Sequence, residues 1–203
     1  VSHDMAAIQN LCNKAYALDH GSVLASGEVS EVISRYLESV SRPPTISLSD
    51  RQDRRGTGKL KLVGFSIRGT TNTHDTVQCG AQAEFVIEYE GSAPLRNVEL
   101  DMLFYNQFGS CVLVTGSGFA GKVFEGVPQR GAFVCRFDKF PVMPGIYHLR
   151  LDSTVNGLRA DDIKEAVTLH VVGGDFYGSG RLPPTVQGYV ATPQKWDVEE
   201  RTS

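Results

Sequence analysis

Residues 97–105 read NVELDMLFY, and they alternate. Val98, Leu100, Met102 and Phe104 fall on one side of an extended chain, with Asn97, Glu99, Asp101 and Tyr105 on the other. A two-residue period held over this length predicts a β-strand with one face in a core. Other runs share the pattern. Ala83, Phe85, Ile87 and Tyr89 alternate with Glu84, Glu88 and Glu90, and Phe133, Cys135 and Phe137 alternate with Val134, Arg136 and Asp138. Tyr147, Leu149 and Leu151 alternate with His148, Arg150 and Asp152. Residues 60–67 open the series, and Val167, Leu169 and Val171 close it. Polar and Gly/Pro turns separate these runs, among them 70–75, 106–109 and 144–145, with no helical period between them. The expected fold is all-β: an antiparallel β-sandwich, Ig-like or jelly-roll-like, over residues 59–203, with 97–105 as a central strand.

Composition allows such a core. The chain has 203 residues, 41% hydrophobic and 21% charged, with a net charge of −3. A mildly acidic chain without a basic stripe is a poor nucleic-acid binder. No apolar run approaches the ~20 residues of a membrane-spanning helix, and residues 1–15 lack the charged-then-apolar order of an export signal. A cytoplasmic location is therefore expected. Cys12, Cys79, Cys111 and Cys135 include no CxxC pair and read as small thiols in a reducing compartment rather than a zinc site.

Residues 1–40 differ in character, and with Val1 at the start they read as a piece of a longer protein. Met5, Ile8, Leu11 and Cys12 have helical spacing. Two short apolar runs, 16–18 and 22–25, flank a turn at Asp19-His20-Gly21. Val29, Val32, Ile33, Tyr36, Leu37 and Val40 then mark one face of a second helix, with Ser26 and Gly27 at its expected start. Forty residues are too few for an independent core, so partial order at best is expected here. Residues 41–58, SRPPTISLSDRQDRRGTG, read as a solvated linker begun by Pro43-Pro44, in which Arg42, Arg51, Arg54 and Arg55 interleave with Asp50 and Asp53.

The last part, 173–203, holds a glycine-rich loop, Pro183-Pro184, a short apolar run at 189–191 and the single tryptophan, Trp196. The run has no hairpin neighbour. It can join its own sheet or cross to a second copy, and exchange into a homodimer is the expectation.

No motif announces catalysis. Gly116, Gly118 and Gly121 fit GxGxxG, and with Lys122 they nearly fit a P-loop, but Val123 stands where a Ser or Thr must bind magnesium and no helix pattern follows. His3, His20, His74, His148 and His170 include no pair at metal-ligand spacing, Asp161-Asp162 reads as a polar turn, and no GxSxG is present. The outward strand positions do suggest binding. Glu99, Asp101, Tyr105, Arg136, His148 and Arg150 combine carboxylates, guanidinium groups and an aromatic ring, which suit sugar hydroxyls and C–H faces. A plain solvated sheet face carries the same mix, and residue types alone favour that plainer reading.

Residues 1–40 resemble the end of an ABC transporter nucleotide-binding domain. The resemblance rests on Val1-Ser2-His3-Asp4-Met5, on Cys12-Asn13-Lys14-Ala15 with Leu18-Asp19-His20-Gly21, and on Gly27-Glu28 through Tyr36-Leu37. It implies that His3 would sense the ATP γ-phosphate in a full-length subunit working with ATP and magnesium. The Walker A, Walker B and signature motifs are absent from these residues, so this chain is expected neither to hydrolyse ATP nor to carry a cofactor. Arg55-Gly56-Thr57-Gly58, Met143-Pro144-Gly145-Ile146-Tyr147, Asp175-Phe176-Tyr177-Gly178-Ser179-Gly180, Gly188-Tyr189-Val190 and Trp196 resemble the C-terminal extension of Wzt-type exporters. That resemblance implies a cytoplasmic, carbohydrate-binding β-sandwich dimer on the bacterial inner membrane. It would read O-antigen polysaccharide on its polyprenyl carrier beside the permease subunit. The competing expectations are a purely structural dimerisation domain and, more remotely, a hydrolase.

Overall fold

The structure is a computed structural model that describes residues 8, 12–19, 21–40, 47–68, 75–184 and 187–198. Most of the first expected helix, His3, His20, His74, residues 41–46 and most of the 70–75 turn lie outside the described residues.

An antiparallel hairpin comes first, β1 (Lys14–Asp19) with β2 (Ser22–Glu28), followed by helix α1 (Val29–Val40). The helix starts later than the Ser26-Gly27 expectation. Pairing with β1 continues to Lys14–Glu28, which holds Ser26 and Gly27 in the strand ladder. Val32 packs on Ala17 and Ala25, with Ala15 and Tyr36 at the border of this small cluster. Tyr16, Leu18 and Val23 remain exposed.

The sandwich has two sheets. Strands β3 (Leu60–Arg68), β5 (Ala83–Gly91) and β8 (Arg130–Phe137) form one, in the order β3-β5-β8. The other runs β4-β10-β9-β6-β7, from β4 (Thr76–Gln78), β6 (Val98–Asn106), β7 (Cys111–Gly116), β9 (Gly145–Val155) and β10 (Leu158–Val172). Every pairing is antiparallel except β4 with β10, which is parallel. The expected sandwich is therefore present, with one mixed edge. β6 alternates without a break: Val98, Leu100, Met102, Phe104 and Asn106 are buried and the intervening residues are half-buried. It is an interior strand, paired with β9 on one side and β7 on the other, and β9 stands at the middle of the order because the β9–β10 hairpin and the pairing of β10 with β4 extend the sheet beyond it. An aromatic cluster fills the space between the sheets, with Phe85 within 5.4–6.1 Å of the rings of Phe65, Phe104, Phe137 and Phe140.

The linker reading fails for the second half of 41–58. Leu48, at 1% exposure, enters the core, and residues 48–58 form a strap along β10. Arg54 donates to the Leu48 carbonyl and, at 2.8 Å, to Asp161 Oδ2. The Leu62 amide donates to the same oxygen at 2.8 Å. The Thr57 and Gly58 amides donate to the Arg159 and Ala160 carbonyls, and a side chain at Gly56 would run into the Ala160 carbonyl. These contacts give the Arg-Gly-Thr-Gly run a packing role. Asp161 and Asp162 likewise leave their expected loop. Both lie buried on β10, each beside a guanidinium, which is what makes a buried carboxylate tolerable. The Tyr147 hydroxyl donates to the Met143 carbonyl at 2.8 Å, which closes the Met-Pro-Gly-Ile-Tyr corner.

Candidate functional site

The outer face of the five-stranded sheet collects five of the six expected binding residues. Glu99, Asp101 and Tyr105 come from β6, and His148 and Arg150 from β9. Pairing sets Tyr105 opposite His148 and Asp101 opposite Asp152. Arg136 is elsewhere. It lies on β8 in the other sheet, with its Nε 2.6 Å from Glu84. Its alternation was legible in the sequence, but which sheet each strand joins was not.

Tyr105, His148 and Arg150 line a cleft of ≈ 390 Å³ with Asn106, Gln107, Gly109, Lys164 and Glu165. Two irregular elements build its walls. The first is the β6–β7 loop, where buried Asn106 accepts hydrogen bonds from the Phe108 and Ser110 amides at 3.0 and 2.9 Å. Gly109, at φ +78°, lets the loop turn tightly. The second is a bulge in β10: Ile163 pairs with Leu151 but Val167 with Leu149, so three residues stand opposite Arg150 alone. Glu165 has φ +46° within it. Arg51 of the strap donates to the Lys164 carbonyl at 2.8 Å and to the Glu165 carbonyl at 3.0 Å.

Arg150 is fixed rather than free. It grips Asp162 with both Nε and Nη2, at 2.7 and 2.9 Å, and this bond holds its guanidinium more firmly protonated than usual. Arg159 bonds Asp152 at 2.8 Å. Burial nonetheless raises the Asp152 carboxyl pKa, against the pull of Arg159. Asp101 has no ion pair among the described residues. Its carboxyl is raised by burial first, then by Asp152 and Glu99. His148 Nδ1 lies 3.4 Å from the Thr168 hydroxyl. The face thus offers one rigid guanidinium, a ring, an imidazole and exposed amide, ammonium and carboxylate groups, all suited to holding a polar ligand.

The glycine pattern that tempted as a phosphate loop has a different cause. A side chain at Gly116 would occupy the position of the Asp101 carboxylate, and one at Gly118 that of Glu99. The turn after β7 passes beneath those two carboxylates, and the Ser117 amide donates to the Leu100 carbonyl at 2.9 Å. Lys164, Glu165 and Gln107 were missed as cleft residues. A break in the alternation of β10 around 160–167 was the available sign for the bulge.

No protein-family model and no curated protein matches the sequence. Solved structures do match. The C-terminal domain of Wzt superposes with a TM-score of 0.58 over 78% of this chain and 98% of that one, at 14% identity. The sandwich has the fold of the Wzt C-terminal domain. A Niemann-Pick type C2 protein from Japanese carpenter ant, at TM-score 0.41 and 9% identity, covers 58% of this chain and 98% of its own. A CARDB domain from Pyrococcus furiosus, at 0.31 and 14%, covers 56% and 87%. Neither reaches the level of the Wzt domain. The Wzt-type architecture expected from the sequence motifs is therefore present at the level of fold. No helix among the described residues is long and apolar enough to cross a membrane.

Proposed function

We propose that this chain is the glycan-recognition module of an ABC exporter and reads O-antigen polysaccharide on its lipid carrier at the cytoplasmic side of the inner membrane. The observation that carries the reading is the cleft lined by Tyr105, His148 and Arg150. Its volume is of the order of small-ligand sites, roughly 300–1,000 Å³. A sugar ring can lay its C–H face on Tyr105 while its hydroxyls bond Arg150, His148 and Glu165. Support also comes from the Wzt-type fold and from the resemblance of residues 1–40 to the tail of a nucleotide-binding domain. In this reading residues 1–40 belong to the ATPase body, with His3 as its nucleotide sensor. ATP and magnesium serve that body, the permease subunit is the membrane partner, and this chain acts by binding rather than by catalysis.

One observation favours a second role, as a dimerisation element. Residues 189–191 bridge their own chain, through the Met143 amide to the Tyr189 carbonyl at 2.8 Å and the Ala191 amide to the Pro141 carbonyl at 2.7 Å. Beyond them Trp196 and Val198 are 88% and 89% exposed, and such apolar side chains suit a second copy.

The test is an NMR titration with O-polysaccharide purified from the cells that encode this chain. Amide shifts should cluster at Gln107, Gly109, His148 and Arg150, and Tyr105→Ala and His148→Ala should each weaken binding about tenfold. Absence of shifts at saturating polysaccharide would leave dimerisation as the role. Release of free sugar would mean hydrolysis.

A further inference from the structure

Arg51 lies far from the cleft in sequence, yet its guanidinium reaches the backbone of the cleft wall. Nη1 and Nη2 donate to the carbonyls of Glu165 and Lys164, the two residues that the β10 bulge pushes into the lining. That bulge needs outside support. The β9 ladder lapses across it, from Ile163 to Val167, and Glu165 takes a left-handed backbone that a residue with a side chain adopts reluctantly. Arg51 is itself held. Asp53 takes its Nε and Nη2 at 2.6 Å each, and this bond lowers the Asp53 carboxyl to about 2. Leu48 in the core and Arg54 on Asp161 fix the strap on either side.

We propose that Arg51 is a positioning residue for the cleft: it sets the Lys164–Glu165 wall, and so ties the ligand site to the strap that leads back to the N-terminal unit. The inference rests on the cleft being the ligand site. Arginine's planar fork is required, because one ammonium cannot serve two carbonyls and a carboxylate in that arrangement. By reciprocity, whatever loosens the strap at Arg51 weakens ligand binding, and ligand binding steadies the strap.

The experiment uses the whole chain with Arg51→Lys, Arg51→Ala and Asp53→Ala variants, first without ligand and then with the same purified O-polysaccharide. Without ligand, Arg51→Lys should shift the amides of Lys164, Glu165 and Ala166 and leave those of β3 and β5 in place. Unchanged bulge amides would overturn the positioning role whether or not the polysaccharide binds. With ligand, both Arg51 variants should bind about fivefold or more weakly. The Asp53 variant should fall between them and wild type, with unfolding midpoints unmoved by Arg51→Lys. Wild-type affinity in Arg51→Lys despite moved bulge amides would also overturn it. A wild-type chain that binds no polysaccharide, with bulge amides that still respond to Arg51, would refute the glycan reading alone.

Discussion

Asp101 shows how a single side chain on this face trades stability against availability. Its carboxyl is held above the ordinary 3.8 by burial and by its acidic neighbours, so the folded state takes up a proton more readily than the unfolded chain. The sign follows. The group's contribution to stability is fullest below 3.8 and is lost as pH rises through the raised folded value. Asp101→Asn should therefore be more stable than wild type at pH 7, and the gap should close as pH falls below about 4. Urea unfolding across that range measures it. A variant less stable than wild type at pH 7 would mean that the carboxylate makes an interaction worth more than its burial costs. Arg150, by contrast, is satisfied within the protein by Asp162, so it can orient a ligand without itself reorganising.

The strap is the element whose role differs most from its composition. Residues 41–58 are polar and rich in arginine and proline, yet from Leu48 onward the chain is packed against the sandwich. Leu48 is the sole apolar side chain in 48–58, and at 1% exposure it anchors that stretch. Leu48→Ala should cost about 2–5 kcal/mol. Denaturant titration should show a lower midpoint and an unchanged slope, because the surface exposed on unfolding stays nearly the same. A loss of a few tenths only would mean that the arginine contacts hold the strap without it. The same argument explains why the β10 bulge persists: backbone carbonyls turned away from the β9 ladder find donors on the strap.

At the scale of the molecule, two hydrophobic clusters of very different size coexist. The sandwich core joins both sheets, whereas the N-terminal cluster, among the described residues, consists of Ala17, Ala25 and Val32 with Ala15 and Tyr36 at its border. A cluster of small side chains stabilises little, and the other hairpin face leaves Tyr16, Leu18 and Val23 exposed. Amides of α1 should therefore exchange with solvent about a hundredfold or more faster than those of β6 and β9. Equal protection would show that the hairpin and helix are stabilised by more than this cluster, as contact between copies could provide.

By itself the sequence determined most of the strands and the fold class, because a two-residue period directly records which side chains meet the core. The unbroken alternation of β6 is legible for that reason, and the apolar stripe of α1 through the 3.6-residue period of a helix. Only the tertiary structure decided what neighbours what. It put Arg136 in the opposite sheet from Arg150, buried Asp161 beside an arginine 107 residues away and Asp162 beside one 12 residues away across the β9–β10 hairpin, and set Arg51 behind the cleft wall. Those placements come from pairings between distant segments and from a bulge that breaks the period. Local pattern carries no record of either, since a charged residue looks solvated until the partner that neutralises it is brought alongside.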